Sequence, residues 1–177
     1  ADQVHQDLDS IPADQWPLNT NWLDNGFAYS HHNFYQWSRF TEPMNRTLAL
    51  FDHPDTNTFM SELTGRNCYG ENWNGKDAHN PTGTASWYMP GDFSLPHTDH
   101  IAHRTVAYVW HLSRDWRPEY GGALYWAANA ADTSAFRHAS FNTLVLFSVT
   151  TQSQHFVTTV SPHSEGKSKR LAFNGWW

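Results

Sequence analysis

Hydrophobic and polar positions alternate with a period of two along the C-terminal half of the chain, and this pattern predicts strands. "RTVAYVWHL" (104–112) interleaves β-branched and aromatic residues, and "ALYWAA" (123–128) does so over a shorter length. "NTLVLFSV" (142–149) reads as a buried strand, and "QHFVTTV" (154–160) and "RLAFNGWW" (170–177) complete the set. "RDWRPEYGG" (114–122) between them is a turn. Short strands separated by turns, with no helical period between them, indicate an antiparallel sandwich or jelly roll.

The first half has a different texture and predicts mixed helix and loop. In "HPDTNTFMSELTGRN" (53–67), Pro54 and Thr56 mark a helix start, Phe59, Met60 and Leu63 share one face, and Gly65 falls where a C-terminal cap belongs. The stretch 67–84, rich in Asn and Gly, reads as a long loop. The expected organisation is a single domain over 1–177, in which a helical and loop part (1–85) buttresses a β core (86–177).

Composition narrows the class of partner. Eleven Lys and Arg in 177 residues form no block, and the formal charge of −6 argues against non-specific nucleic-acid binding, which needs a basic face. No apolar run approaches the length of a membrane span. One cysteine, Cys68, cannot form an internal disulfide, and the acidic, polar N-terminus is unlike a signal peptide, so a cytoplasmic enzyme is the expectation. Ten Trp, seven Tyr and eleven Phe favour strands and pocket walls. Trp73, Trp87, Trp110 and Trp126 are candidates for a substrate groove, against the alternative that they are core.

The densest chemistry lies in "LPHTDH" (95–100). Residues two apart on an extended chain point to one side, so His97 and Asp99 offer an imidazole and a carboxylate together. His155, on a later predicted strand, supplies a third ligand. Two His and one carboxylate leave three positions of an octahedral metal open, which suits non-haem Fe(II). Two other readings stand beside it: a hydrogen-bonded surface pair, and a zinc site recruiting His97, His100 and His103, whose mixed spacing suits neither a strand nor a helix. Arg170 opens the last strand, where a guanidinium can grip a carboxylate through two parallel hydrogen bonds.

Taken together, "YMPGDFSLPHTDHIAHR", "YVWHLSRDWRPEYGGALYW", "NTLVLFSV", "QHFVTTV" and "KRLAFNGWW" resemble the catalytic domain of the Fe(II)- and 2-oxoglutarate-dependent oxygenases, in their prolyl-hydroxylase-like branch. The element formed by Leu112, Asp115, Trp116, Gly121, Gly122 and Leu124 is the most specific part, and "FMSELTG" (59–65) is similar to an upstream helix of some members. The resemblance implies a double-stranded β-helix, with His97, Asp99 and His155 on iron and Arg170 on the far carboxylate of 2-oxoglutarate. It also implies O2 as oxidant, ascorbate as reductant, and oxidative decarboxylation to succinate and CO2 coupled to hydroxylation of an unactivated C–H. A carboxylate at Asp99, where related halogenases have a small residue, favours hydroxylation.

Two departures stand out. The polar insert "SPHSEGKSK" (161–169) lengthens the spacing from His155 to Arg170 and makes Lys167 and Lys169 rivals for the carboxylate. His111 stands where relatives often carry a Tyr that bonds the co-substrate, which leaves Tyr88 as the candidate second contact. His100, His103 and Arg104 are read as structural. The implied substrate is a prolyl residue of a peptide or protein. A free amino acid or small metabolite is the alternative, and a non-catalytic jelly-roll metal-binding or interaction module is the second.

Overall fold

In the computed structural model, which describes residues 1–22, 28–34, 37–69, 83–101, 104–132 and 134–177, ten strands pair into one antiparallel sheet. They are β1 (Leu18–Trp22), β2 (Ala28–Phe34), β3 (Thr84–Tyr88), β4 (Phe93–His97) and β5 (Val106–His111). The chain continues through β6 (Leu124–Ala127), β7 (Ala135–Arg137), β8 (Thr143–Ser148), β9 (Gln154–Val157) and β10 (Arg170–Trp176). The hydrogen-bonded order is β7-β6-β9-β4-β2-β3-β10-β5-β8, with β1 paired to β2. Although β6 and β8 lie near opposite ends of this order, Leu124 of β6 and Val145 of β8 share one buried cluster with Tyr88, Val157 and Val160. The sheet therefore curls back on itself, as a double-stranded β-helix does.

Alternation along three neighbouring strands sorts the side chains between two faces. In β3, β10 and β5, the residues Ala85, Leu171, Phe173, Val106 and Tyr108 face outward into the larger core cluster. That cluster also holds Val4 and Leu8 of α1 (Asp2–Asp9), Met44 of α2 (Glu42–Phe51) and Met60 of α3 (Pro54–Thr64). The helices thus cover the outer face, as expected of a buttress. The inner positions of the same strands carry the polar Thr84, Ser86, Tyr88, Arg170, Asn174 and His111 together with Ala107, Val109, Ala172 and Trp176, and this face meets the interior of the curl.

The structure departs from the sequence expectation in several places. The N-terminal part is not helix and loop alone, because β1 and β2 lie within it and β2 bridges β3 and β4. β3, β4 and β7 are further strands that the pattern did not predict. The helix over 54–64 forms and ends at Gly65 in the left-handed conformation (φ 64°), but it buries Met60 and leaves Phe59 and Leu63 exposed. β8 is an edge strand with only Val145 buried. Most of the 67–84 loop, with Trp73, lies outside the described residues, as does His103. No helix among the described residues is long and apolar enough to cross a membrane.

Candidate metal centre

His97 ends β4 and lies directly opposite His155 of β9 in the strand register. Asp99 follows two residues after β4, and one ligand atom from each of the three lies within 4.8 Å of the others. His97 Nε2 is 3.5 Å from Asp99 Oδ1, and His155 Nε2 is 3.3 Å from Asp99 Oδ2. The second nitrogen of His97, Nδ1, is 2.8 Å from the carbonyl of Leu95 and donates to it, which leaves Nε2 with its lone pair toward the cluster. The indole N–H of Trp176 donates to Asp99 Oδ2 at 2.7 Å, and the guanidinium of Arg104 lies 3.6 Å from the centre of a Trp176 ring.

Protonation states suit metal binding. Burial pushes the Asp99 carboxyl up, but the His97 and His155 rings beside it, which favour the carboxylate most when protonated, and the Trp176 N–H together hold it at about 2. Burial lowers His155 to about 4, with Asp99 opposing that shift and His97 adding to it. At neutral pH Asp99 is a carboxylate and His155 a neutral imidazole, the forms a divalent ion requires. The side chains of His97, Asp99 and His155 are 17%, 14% and 12% exposed, so they are shielded from bulk water yet open to a cavity of about 500 Å³. His100 is exposed and outside this group.

Arg170 lines the same cavity and is 2% exposed. Its Nε donates to the carbonyl of Gly122 at 2.5 Å, and its guanidinium carbon sits 4.5 Å from the centre of the Tyr88 ring. Burial lowers its pKa to about 10, so it stays cationic, and among the described residues it makes no ion pair. A buried cation without a counter-charge costs several kcal/mol, a cost that an anion in the cavity would offset. The "GG" of the turn has a physical reason. Gly122 has φ +64°, and a Cβ there would meet Arg170 Cδ at 2.6 Å. A Cβ on Gly121 (φ +68°) would meet the Thr159 carbonyl oxygen at 2.3 Å, and the Trp116 indole N–H donates to the Gly121 carbonyl at 3.1 Å. The signature turn is therefore the backing of Arg170.

Lys167 and Lys169 are directed elsewhere: Lys169 pairs with Asp9 at 3.1 Å over the Trp87 ring, and Lys167 approaches the Tyr120 ring. Trp87, Trp110 and Trp126 do not line the cavity and pack against the core clusters, in line with the core alternative, whereas Trp176 lines the cavity. Aromatic residues on the outward positions join the core cluster instead. Two histidines emerge from the register, one at a position where the resemblance already sets a co-substrate contact and one that pattern reading did not place. His111 is fully buried beside Ala172, with both ring nitrogens unpartnered, and burial followed by the Arg170 charge lowers it to about 3. His31, on the unexpected strand β2, lines the cavity next to Asn33.

The donor set fits a first-row divalent metal with open positions, and the uncompensated Arg170 fits a dicarboxylate co-substrate. Comparisons with known proteins agree with this chemistry. No curated protein matches the chain. Among solved structures, the fold is similar to a Pseudomonas putida prolyl 4-hydroxylase, with 17% identity, a TM-score of 0.63, and 98% of this chain and 96% of that one covered. It is also similar to a Trichoplax adhaerens prolyl hydroxylase solved with a hypoxia inducible factor oxygen degradation domain peptide fragment (16% identity, TM-score 0.67, 99% and 76% covered). A Burkholderia pseudomallei 2OG-Fe(II) oxygenase family oxidoreductase shares 11% identity at a TM-score of 0.60, with 99% and 77% covered. Residues 83–177 match the 2OG-Fe(II) oxygenase superfamily, and the protein accordingly belongs to that superfamily as a dioxygenase of Fe(II), 2-oxoglutarate and O2.

Proposed function

We propose that the enzyme hydroxylates a prolyl residue within a peptide or protein, with His97, Asp99 and His155 holding iron and Arg170 holding the far carboxylate of 2-oxoglutarate. Bound iron and co-substrate supply an oxidant, made from O2, that inserts oxygen into an unactivated C–H. The chain's own residues position and shield. The Leu95 carbonyl and the Trp176 indole orient two of the three ligands, and Phe147 packs against the His155 ring at 4.8 Å. Arg170 binds through two parallel hydrogen bonds, with Tyr88 and His111 as the polar side chains beside it. Val157, Leu124 and Phe147 make the wall near His155 apolar, which excludes water and suits a pyrrolidine ring.

The observation that carries the peptide reading is the charge of the cavity wall. Its polar lining is mostly uncharged, including Asn19, Asn21, Asn33 and Asn174. Asp99 is the only carboxylate among the described lining residues, and the metal claims it. A free amino acid brings an ammonium that would find no counter-charge, whereas amides match the carbonyls and N–H groups of a main chain. The likeness to prolyl hydroxylases, one of them solved with a peptide, supports the same reading. Because β1 and β2 supply part of this wall, the proposed catalytic unit includes the N-terminal part of the chain.

The test is incubation with Fe(II), ascorbate and 2-oxoglutarate plus proline-containing peptides or free amino acids. Ascorbate is proposed to restore Fe(II) after uncoupled turnovers, so its omission should shorten activity without changing the product. Succinate release and the gain of one oxygen atom are expected together on a peptide. Oxygen gain on free amino acids and on no peptide would overturn the peptidyl reading.

A further inference from the structure

Arg170 is the outermost member of a row that crosses neighbouring strands on the inner face. Arg170 of β10 lies directly opposite Tyr88 of β3. The β2–β3 register pairs His32 with Trp87, and one step further along it sets His31 opposite Tyr88. The side chains follow this row as a stack. The guanidinium carbon is 4.5 Å from the Tyr88 ring centre, and that ring is stacked on His31 at 4.8 Å with an interplanar angle of 11°. Asn33 Nδ2 lies 2.9 Å from His31 Nε2, a contact that fixes the rotation of the imidazole.

From this geometry we infer that His31 is a positioning residue: acting through Tyr88, it sets the plane in which the Arg170 guanidinium meets a carboxylate. The inference rests on the reading that Arg170 takes the far carboxylate of 2-oxoglutarate. A two-pronged guanidinium–carboxylate contact requires the two groups to be coplanar, so the tilt of the guanidinium matters as much as its charge. Its Nε bond to the Gly122 carbonyl leaves rotation about that contact open. A flat ring beneath the guanidinium removes that freedom, because the cation is drawn to the ring face. Tyr88 can serve as a platform only if its own plane is held, and His31 is the ring that holds it. Burial, with the charge of Arg170 next, keeps His31 neutral at neutral pH, so no second cation sits beneath the stack.

The prop acts by shape, and this separates it from a hydrogen-bonding role. The measurement is calorimetric binding of two keto acids of equal chain length to the Mn(II)-loaded protein without O2. They are 2-oxoglutarate and 2-oxopentanoate, which lacks the far carboxylate. The ratio of their affinities reports on Arg170 alone, because general loosening of the pocket weakens both. His31→Leu is expected to lower the ratio by about three- to thirtyfold. His31→Phe, which keeps a flat ring, should retain it within about twofold. Tyr88→Leu, which removes the platform itself, should lower the ratio at least as far as His31→Leu and serves if that variant fails to fold. A wild-type ratio in the leucine variants, or an equal loss in His31→Phe and His31→Leu, would overturn the inference. Arg170→Ala should collapse the ratio. If it does not, the reading of Arg170 itself fails, and the prop fails with it for that separate reason.

Discussion

Asp99→Ala is expected to weaken Fe(II) binding severely and, with it, to cut the consumption of 2-oxoglutarate coupled to hydroxylation. Asp99 is the one anionic member of the proposed ligand set, and both of its oxygens lie within 3.5 Å of an imidazole nitrogen. Removing it leaves two imidazoles, which hold a divalent ion far more weakly than the full set. Loss of an orienting partner outside the coordination sphere already costs about 10- to 100-fold in metal affinity, so loss of the ligand itself should exceed that. His97→Ala and His155→Ala should behave alike, since each removes a lone pair that the strand register places at the same point. Anaerobic titration against a competing chelator reads the effect. Full metal occupancy in all three variants would show that the ligands are elsewhere.

Arg170→Ala should raise the dissociation constant for 2-oxoglutarate severely while leaving metal binding nearly unchanged. Loss of a charge-assisted, two-pronged contact from a buried site costs about 2–4 kcal/mol, which is roughly 30- to 1000-fold in affinity. Arg170→Lys should recover only part, because an ammonium cannot make both bonds in one plane. Lys167→Ala and Lys169→Ala should have little effect, since both lysines point away from the cavity. The Arg170→Ala protein should also be at least as stable without co-substrate as the parent, because it no longer buries an unpaired cation. A large loss in Lys167→Ala or Lys169→Ala with little in Arg170→Ala would mean that the carboxylate binds elsewhere.

The legible parts of the chain were those in which physics writes a period. β5, β9 and β10 alternate because one face meets a core, β8 was legible as an apolar run, and Arg170 could be found because it begins such a strand. The two-residue spacing of His97 and Asp99 suggested their pairing but left a surface hydrogen-bonded pair open, which His155, Arg170 and the resemblance weighed against. β1 and β2 were not legible, because their inward residues Asn19, Asn21, Tyr29, His31 and Asn33 line a polar cavity rather than a core. Leu18 and Trp22 of β1 are 59% and 70% exposed, so the apolar residues there mark the outside. β4 contains Pro96, which argues against a strand; the register shift between Ser94 and His97 accommodates it. Trp176 carries no separate signal within "RLAFNGWW", and only the three-dimensional register brings its N–H to Asp99. His31 escaped for the same reason as its strand, since a His-His-Asn run carries no hydrophobic period.

The most direct measurement is X-ray diffraction at the iron absorption edge from crystals of the complex with Fe(II) and 2-oxoglutarate, grown without O2. One anomalous peak is expected among His97, Asp99 and His155, with the far carboxylate of 2-oxoglutarate against Arg170 and its keto-acid end toward the peak. Iron located away from these three residues, or the co-substrate's far carboxylate directed away from Arg170, would contradict the assignment of this site.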